Sequence, residues 1–95
     1  MKSFQPIIPP HVAEIVRSLH PDLKQSIKAA IRAIAADPAC GVPLRRELEG
    51  LRKYRVRRFG IVYAVDQKAR AIRLMAIGHR RSIYEELTER MRKKS

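Results

Sequence analysis

The sequence predicts an α+β fold: a small antiparallel β-sheet with an N-terminal α-helical hairpin packed on one face and a short C-terminal helix. Apolar residues in positions 11–34 recur three or four positions apart, which is typical of amphipathic helices. From position 53 they alternate with polar residues or run without interruption, which is typical of strands. The resulting order is β-α-α-β-β-β-α. With 95 residues, the chain is predicted to form a single domain, 1–95.

The N-terminal half supplies the first strand and the helical hairpin. Residues 4–8 form a short apolar stretch, and Pro6 within it indicates an edge strand. Residues 11–19 are predicted to form the first helix. Pro21 suits the first position of the second helix, which is expected to end at Asp37 because a proline follows. Residues 38–50 contain two prolines and two glycines and are predicted to form a loop or short turn.

The C-terminal half supplies the other three strands and the last helix. The nearly continuous apolar run at residues 61–65 is typical of a central strand. Residues 66–69 are predicted to be a hairpin loop, and residues 71–78 the last strand of an antiparallel meander. Helical spacing returns from Ser82.

The strand that begins at Lys53 places arginines at every second position. Tyr54 and Val56 alternate with Arg55 and Arg57. Because successive side chains of a strand point to opposite faces, both arginines are expected on the sheet face that the helical hairpin leaves partly open.

The chain is strongly basic, and its charge is uneven. It has 21 Lys and Arg against 9 Asp and Glu, a formal net charge of +12. Residues 1–44 carry a net charge of +2 and residues 45–95 carry +10. A single-sign excess of this size favours a polyanionic partner, either nucleic acid, an acidic protein or an anionic membrane surface. The alternative is a surface charge that serves solubility.

Several classes of site are not supported by the sequence. Cys40 is the only cysteine, which excludes an internal disulfide and fits a reducing compartment, and we expect it to be an inert loop thiol. The histidines and acidic residues lack metal-ligand spacing, so no metal or other cofactor is predicted. No apolar run approaches the roughly 20 residues of a membrane span, and the N-terminus lacks signal-peptide features. We expect a cytoplasmic protein.

The candidate site residues are basic or aromatic and follow the predicted strands. Guanidinium groups suit phosphate because they are planar, permanently charged and bidentate. Metal-free RNA cleavage also requires proton transfer at the 2′- and 5′-oxygens, for which a histidine or tyrosine is suited, with pKa values expected to be lowered by neighbouring positive charge. The candidate catalytic residues are Arg55, Arg57, Arg81, Tyr84 and His79, and the candidate RNA-binding residues are Arg58, Arg80 and Lys53.

Each of these residues also has a purely structural interpretation. Arg55 and Arg57 would then form the solvated face of a strand, His79 would bond to the backbone, and Tyr84 would pack at a helix start. Arg80 and Arg81 would then bind an acidic partner. Tyr54, Tyr63 and Phe59 are expected to pack in the core or on the sheet rather than act in chemistry.

Four segments, in this order and spacing, resemble the RelE/ParE superfamily of bacterial type II toxins. They are residues 48–51 (LEGL), 54–57 (YRVR), 61–66 (IVYAVD) and 76–84 (AIGHRRSIY). The resemblance implies the same α+β fold and a cognate antitoxin with an acidic, partly disordered tail. For the RelE branch it implies ribosome-dependent, metal-independent mRNA cleavage that inhibits translation.

The resemblance also implies roles for particular residues. Arg55 and Arg57 match the pair of basic strand residues of the RelE-like nucleases, Arg80 or Arg81 matches the basic residue after the last strand, and Tyr84 matches the tyrosine that stacks on or activates the substrate. The chain departs from the pattern at Gly60, near the start of the central strand, where many relatives carry a further arginine. Either Arg58 reaches the same space or the site is weaker.

Three functions therefore remain open at this stage. The pattern at the C-terminal end of the sheet favours an mRNA endoribonuclease acting in the ribosome. The alternatives are a ParE-like toxin that inhibits DNA gyrase without nuclease activity, and a non-toxic basic module that binds RNA or the ribosome. The nuclease would form a toxin–antitoxin hetero-oligomer.

Overall fold

A computed structural model describes residues 3–93 as a five-stranded sheet with three α-helices. The strands are β1 (Gln5–Ile7), β2 (Val42–Pro43), β3 (Leu51–Val56), β4 (Phe59–Asp66) and β5 (Ala71–His79). The helices are α1 (Pro10–Arg17), α2 (Pro21–Ala36) and α3 (Ile83–Lys93). The predicted α+β class is confirmed, as is the predicted order apart from the additional strand β2.

The sheet has the order β1-β5-β4-β3-β2. The predicted meander is confirmed, since β3, β4 and β5 pair in antiparallel fashion. The first strand joins this meander in parallel with β5, which makes the sheet mixed. The prediction of only loop or turn for residues 38–50 was wrong at Val42–Pro43, which pair with β3 as an edge strand. An edge position tolerates Pro43 because no further strand requires its missing N–H.

Helices cover both faces of the sheet. On one face the α1–α2 hairpin packs on the sheet, with Ile27 and Ile34 of α2 in one buried cluster with Ile61 and Tyr63 of β4, as predicted. On the other face α3 packs on the sheet, and its Leu87 joins a second buried cluster. The face that was expected to be partly open is therefore covered by α3 over part of its area. The uncovered part lies where the basic residues collect.

The helical hairpin begins and ends where its local sequence requires. Pro10 and Pro21 each occupy a first helical position, where the missing N–H breaks no hydrogen bond. The His20 Nδ1 accepts a hydrogen bond of 3.4 Å from the Asp22 N–H, and the Asp22 carboxylate lies in the positive first turn of α2. Asp37 ends the helix with φ −146° and ψ 86°, outside the helical region that a following proline disfavours.

A buried tyrosine holds the segment that leads into β2 against the sheet. The hydroxyl of Tyr63, which is fully buried, donates to the Pro38 carbonyl over 2.6 Å and accepts from the Gly41 N–H over 3.0 Å. Arg52 donates to the Gly41 carbonyl over 2.7 Å. A Cβ atom at Gly41 would overlap the Tyr63 hydroxyl, so the close approach requires glycine. Tyr63 is thus a core residue, as expected.

We expect Tyr63→Phe to lower the free energy of unfolding by about 1–3 kcal/mol near neutral pH, because the buried Gly41 N–H loses its acceptor. Burial raises the pKa of Tyr63 from 10 to about 12. Between these values the unfolded chain loses the phenolic proton before the folded chain does, so wild-type stability falls as pH rises. The gap between wild type and variant should therefore narrow between pH 10 and pH 12, as measured by urea unfolding.

Tyr54→Phe serves as the matched control, because it removes a hydroxyl from a tyrosine that is only partly buried. A gap between wild type and Tyr63→Phe that stays constant over this pH range would contradict the assigned role of the Tyr63 hydroxyl.

Candidate functional site

The face of the sheet that carries α3 also carries two basic side chains of β3. Lys53 pairs across strands with Val62, which is buried under α3, so Lys53 lies on the α3 face of the sheet. Arg55 lies two positions later on the same strand and therefore shares that face. Arg55 pairs in turn with Gly60 of β4. The predicted position of Arg55 on the face away from the helical hairpin agrees with this arrangement.

The prediction that Arg57 continues this alternation was wrong. Strand β3 ends at Val56, which pairs with Phe59, and Arg57 and Arg58 form the two-residue connection to β4. Arg57 has a φ of 55°, in the left-handed region, which breaks the two-residue period of the strand. Sequence alternation could not reveal this turn, because it lacks the glycine or asparagine that normally marks one.

A cavity of about 290 Å³, called the smaller cavity below, lies at this end of the sheet. Lys53 and Arg55 meet Tyr84 of α3 there, and the Lys53 Nζ lies 5.3 Å from the centre of the Tyr84 ring, within reach of a cation–π contact. Val42, which is 56% exposed, forms part of the wall. Among the residues that the structure describes, the lining is Val42, Lys53, Arg55, Arg80 and Tyr84, which includes three cations and no carboxylate.

The larger cavity, of about 710 Å³, lies at the end of β5 and the β3–β4 turn. It is lined by Arg58, His79, Arg80 and Arg81. The His79 ring is exposed and lies 4.5 Å from the ring of its cross-strand partner Phe59, measured between ring centroids. In the described part of the chain, three arginines and no carboxylate line this cavity.

Arg80 lines both cavities and links them. Its backbone N–H donates to the Arg58 carbonyl over 2.9 Å, which fixes the chain where β5 ends. Within residues 3–93, its side-chain Nε is the one buried polar side-chain atom of a non-exposed residue that has no hydrogen-bond partner. A buried donor without an acceptor is costly, so the Arg80 side chain is held in an unfavourable environment.

Residues 7–88 match the model of a protein family described as the ParE-like toxin of type II bacterial toxin–antitoxin systems. The match spans most of the chain. The chain belongs to this family. It is thus a type II toxin of the RelE/ParE superfamily, as the four sequence segments indicated.

Solved structures of RelE proteins share the fold of the toxin. The RelBE2 toxin–antitoxin complex of Mycobacterium tuberculosis is similar with a TM-score of 0.74 and 22% identity, over 84% of this chain and 94% of that chain. A free double arginine mutant of Escherichia coli RelE has a TM-score of 0.75 and 16% identity, over 99% and 98% of the two chains. The RelE–RelB complex of Pyrococcus horikoshii has a TM-score of 0.68 and 15% identity, over 82% and 96%.

A comparison of the toxin with curated protein sequences gives no match. The structural similarities, at identities below 25%, establish a common fold.

The pKa of Tyr84 is higher than the sequence suggested. Burial raises the pKa of its phenol above the ordinary value of 10, and the nearby positive charges of Arg80 and Arg55 lower it by less. The expectation that neighbouring cations would lower the Tyr84 pKa was therefore wrong, because desolvation outweighs their attraction. At neutral pH Tyr84 is a neutral hydrogen-bond donor.

Gly60 makes room for Tyr84 on the sheet, and Gly78 lies against Ile83. Gly60 and Gly78 are cross-strand partners and continue the row that begins at Arg55. A Cβ atom built on Gly60 would lie 3.0 Å from the Tyr84 hydroxyl and 3.6 Å from the Arg80 Cγ. The space that a strand arginine would occupy in this toxin is therefore filled by Tyr84 and Arg80. Arg58, expected as one possible replacement, lines the larger cavity instead.

Other residues singled out from the sequence lie outside this site. His20 caps α2, and an exposed His11 ring nitrogen lies 3.4 Å from the Met75 carbonyl oxygen. Cys40 is an exposed free thiol whose pKa is raised by partial burial, which makes it less reactive.

Within residues 3–93, no cluster of His, Cys, Asp and Glu could hold a metal ion, and no helix is long and apolar enough to cross a bilayer. Val42 was not predicted to be a site residue, because its segment was predicted to be a loop or short turn.

We expect Gly60→Ala to displace the Tyr84 ring at a cost of about 1 kcal/mol, the low end of the range for an overpacked methyl group, because the new methyl meets the end of a side chain rather than backbone. The shift is measurable in the NMR signals of the Tyr84 ring. Gly78→Ala is the matched control, because its Cβ would meet Ile83 at an ordinary 3.6 Å. Tyr84 signals that move equally in both variants would show that Gly60 has no particular role in seating the tyrosine.

Proposed function

We propose that this toxin is an endoribonuclease that cleaves mRNA in the ribosomal A site and so inhibits translation. The observation that carries the proposal is the smaller cavity, where Lys53, Arg55 and Arg80 meet Tyr84 and no carboxylate is present among the described lining residues. Such a cavity suits a single phosphodiester with a proton donor next to it. The RelE identity of the similar solved structures supports the choice of mRNA as substrate.

The cleavage uses the 2′-hydroxyl of the RNA itself and consumes no water. The 2′-oxygen forms a bond to phosphorus, the bond from phosphorus to the 5′-oxygen breaks, and a 2′,3′-cyclic phosphate and a 5′-hydroxyl result. One proton leaves the 2′-oxygen and one is added to the 5′-oxygen, so protons balance. The reaction therefore requires alignment, stabilisation of negative charge on the phosphoryl oxygens, and a proton donor.

The residues of the smaller cavity supply these requirements without a metal cofactor. Lys53, Arg55 and Arg80 surround the phosphate and stabilise its developing charge. Tyr84, protonated at neutral pH, donates to the 5′-oxygen as it leaves. The proton from the 2′-hydroxyl passes to water, and the Tyr84 phenolate left by the donation takes a proton back from solvent. The catalytic roles predicted for Arg57, Arg81 and His79 stay predictions, and the geometry favours Arg80 over Arg81 as the phosphate-binding residue beside Tyr84.

The proposed protein partner is a cognate antitoxin with an acidic segment. Two of the similar structures are described as complexes of a toxin with its antitoxin. The net charge of +12 on this chain favours an acidic partner. We propose a toxin–antitoxin hetero-oligomer in the cytoplasm as the inactive state.

A second candidate function is inhibition of DNA gyrase without nuclease activity, which the ParE-like description of the family favours. Induced expression in a bacterial host separates the two. Primer extension is performed on an abundant message with an intact start codon and on the same message with translation blocked. Cuts that require translation support the nuclease, whereas growth arrest with intact message supports gyrase inhibition.

We expect Arg80→Ala and Tyr84→Phe each to slow mRNA cleavage by about 100-fold or more, because each removes a group that acts on the transition state. Cleavage is measured by primer extension in a purified translation system with the toxin added. Lys68→Ala, in the exposed β4–β5 loop, is the charge-matched control. Circular dichroism of each variant checks the fold. Wild-type cleavage rates in folded Arg80→Ala would refute the assignment of Arg80.

Arg81→Ala provides the comparison within the site, since Arg81 lines only the larger cavity. Its effect on the cleavage rate is expected to be smaller than that of Arg80→Ala. The reverse order would place the reacting phosphate in the larger cavity.

A further inference from the structure

The larger cavity contains an aromatic surface that the proposed cleavage does not use. Phe59 belongs to the face of the sheet that the helical hairpin covers and packs against its cluster, and its cross-strand partner His79 stands on the same face. The two rings are 4.5 Å apart between centroids and inclined by 41°. Phe59 thus supports the His79 ring from one side, while the ring itself stays exposed in the cavity.

The rest of the cavity lining has the chemistry of a single-stranded nucleic-acid site. Arg58 and Arg81 are exposed cations, and Arg80 joins them from the edge of the smaller cavity. Aromatic rings that stack bases, combined with cations that follow the backbone, are the usual means of binding single strands. The volume of about 710 Å³ is within the range of sites that enclose a small ligand.

The position of Arg80 relates the two cavities to one another. If a phosphate binds the Arg80 guanidinium, the nucleotides on its two sides extend into the two cavities that Arg80 lines. One base then lies near Tyr84 on the α3 face. The other lies near His79 at the end of β5.

We propose that the larger cavity is a second nucleotide subsite, in which a base of the RNA stacks on the His79 ring and the adjacent backbone contacts Arg58 and Arg81. This inference rests on the proposed function for the identity of the substrate. It assigns His79 a stacking role in place of proton transfer. The ring is required for this role and the imidazole nitrogens are not.

The test is equilibrium binding of the full-length free toxin to a 2′-O-methyl adenine dinucleotide, which lacks the attacking hydroxyl and cannot be cleaved. Two further probes are the same dinucleotide with one or the other base removed. Binding is followed by NMR titration at low salt, because phosphate contacts weaken as salt rises. The variants are His79→Ala and His79→Phe, with His11→Ala as a control that removes an exposed histidine of α1.

One stacked base contributes about a five- to 150-fold preference for the complete dinucleotide over the probe that lacks that base. In wild type, His11→Ala and His79→Phe this preference is expected to persist. In His79→Ala the preference for the complete dinucleotide is expected to disappear relative to one of the two probes. The base that this probe lacks is the base that stacks on His79. An unchanged preference in His79→Ala, its loss in His79→Phe, or the absence of any preference in wild type would overturn the proposal.

The binding result and the cleavage result are independent. A His79-dependent base preference in a toxin that leaves translated messages intact would keep the subsite and reject the nuclease. Translation-dependent cuts together with a base preference that His79→Ala does not change would keep the nuclease and reject the subsite.

Discussion

The start of α3 packs directly on the backbone of the sheet, and the candidate site depends on that contact. Gly60 and Gly78 lie side by side on β4 and β5, and Ile83 is buried against the second of them. This brings Tyr84, one residue later, down to Gly60 between Arg55 and Arg80. A Cβ atom at Gly60 would meet the Tyr84 hydroxyl at 3.0 Å and displace the tyrosine from its place among the arginines, whereas a Cβ atom at Gly78 would meet Ile83 at an ordinary 3.6 Å.

The site is electrostatically unfavourable without a ligand. Lys53, Arg55, Arg58, Arg80 and Arg81 line two adjoining cavities that have no carboxylate in their walls. Like charges this close repel one another, and the buried Arg80 Nε adds an unsatisfied donor. The hydrophobic clusters on both faces of the sheet must offset this cost. An anion that binds only the folded state removes part of it, so such a ligand also stabilises the fold.

Hydrophobic periodicity in the sequence predicted some elements correctly and failed at others. Periodicity located α2 and β4 closely, because long amphipathic or apolar segments leave few alternatives. It failed at Arg57, where a left-handed turn ends the strand without a glycine to mark it. It also missed β2, since a two-residue edge strand containing Pro43 has no pattern of its own and forms only because β3 is beside it.

By itself, the sequence determined the α+β class, the basic character of the C-terminal half and the set of residues available for phosphate, because these follow from composition and from short-range spacing. The tertiary structure alone decided how that set is divided between two cavities, with Arg80 shared and Tyr84 separated from His79. It also decided the direction of the Tyr84 pKa shift. Both depend on burial and on distances between β3, β4, β5 and α3, and these exist only once the elements pack together.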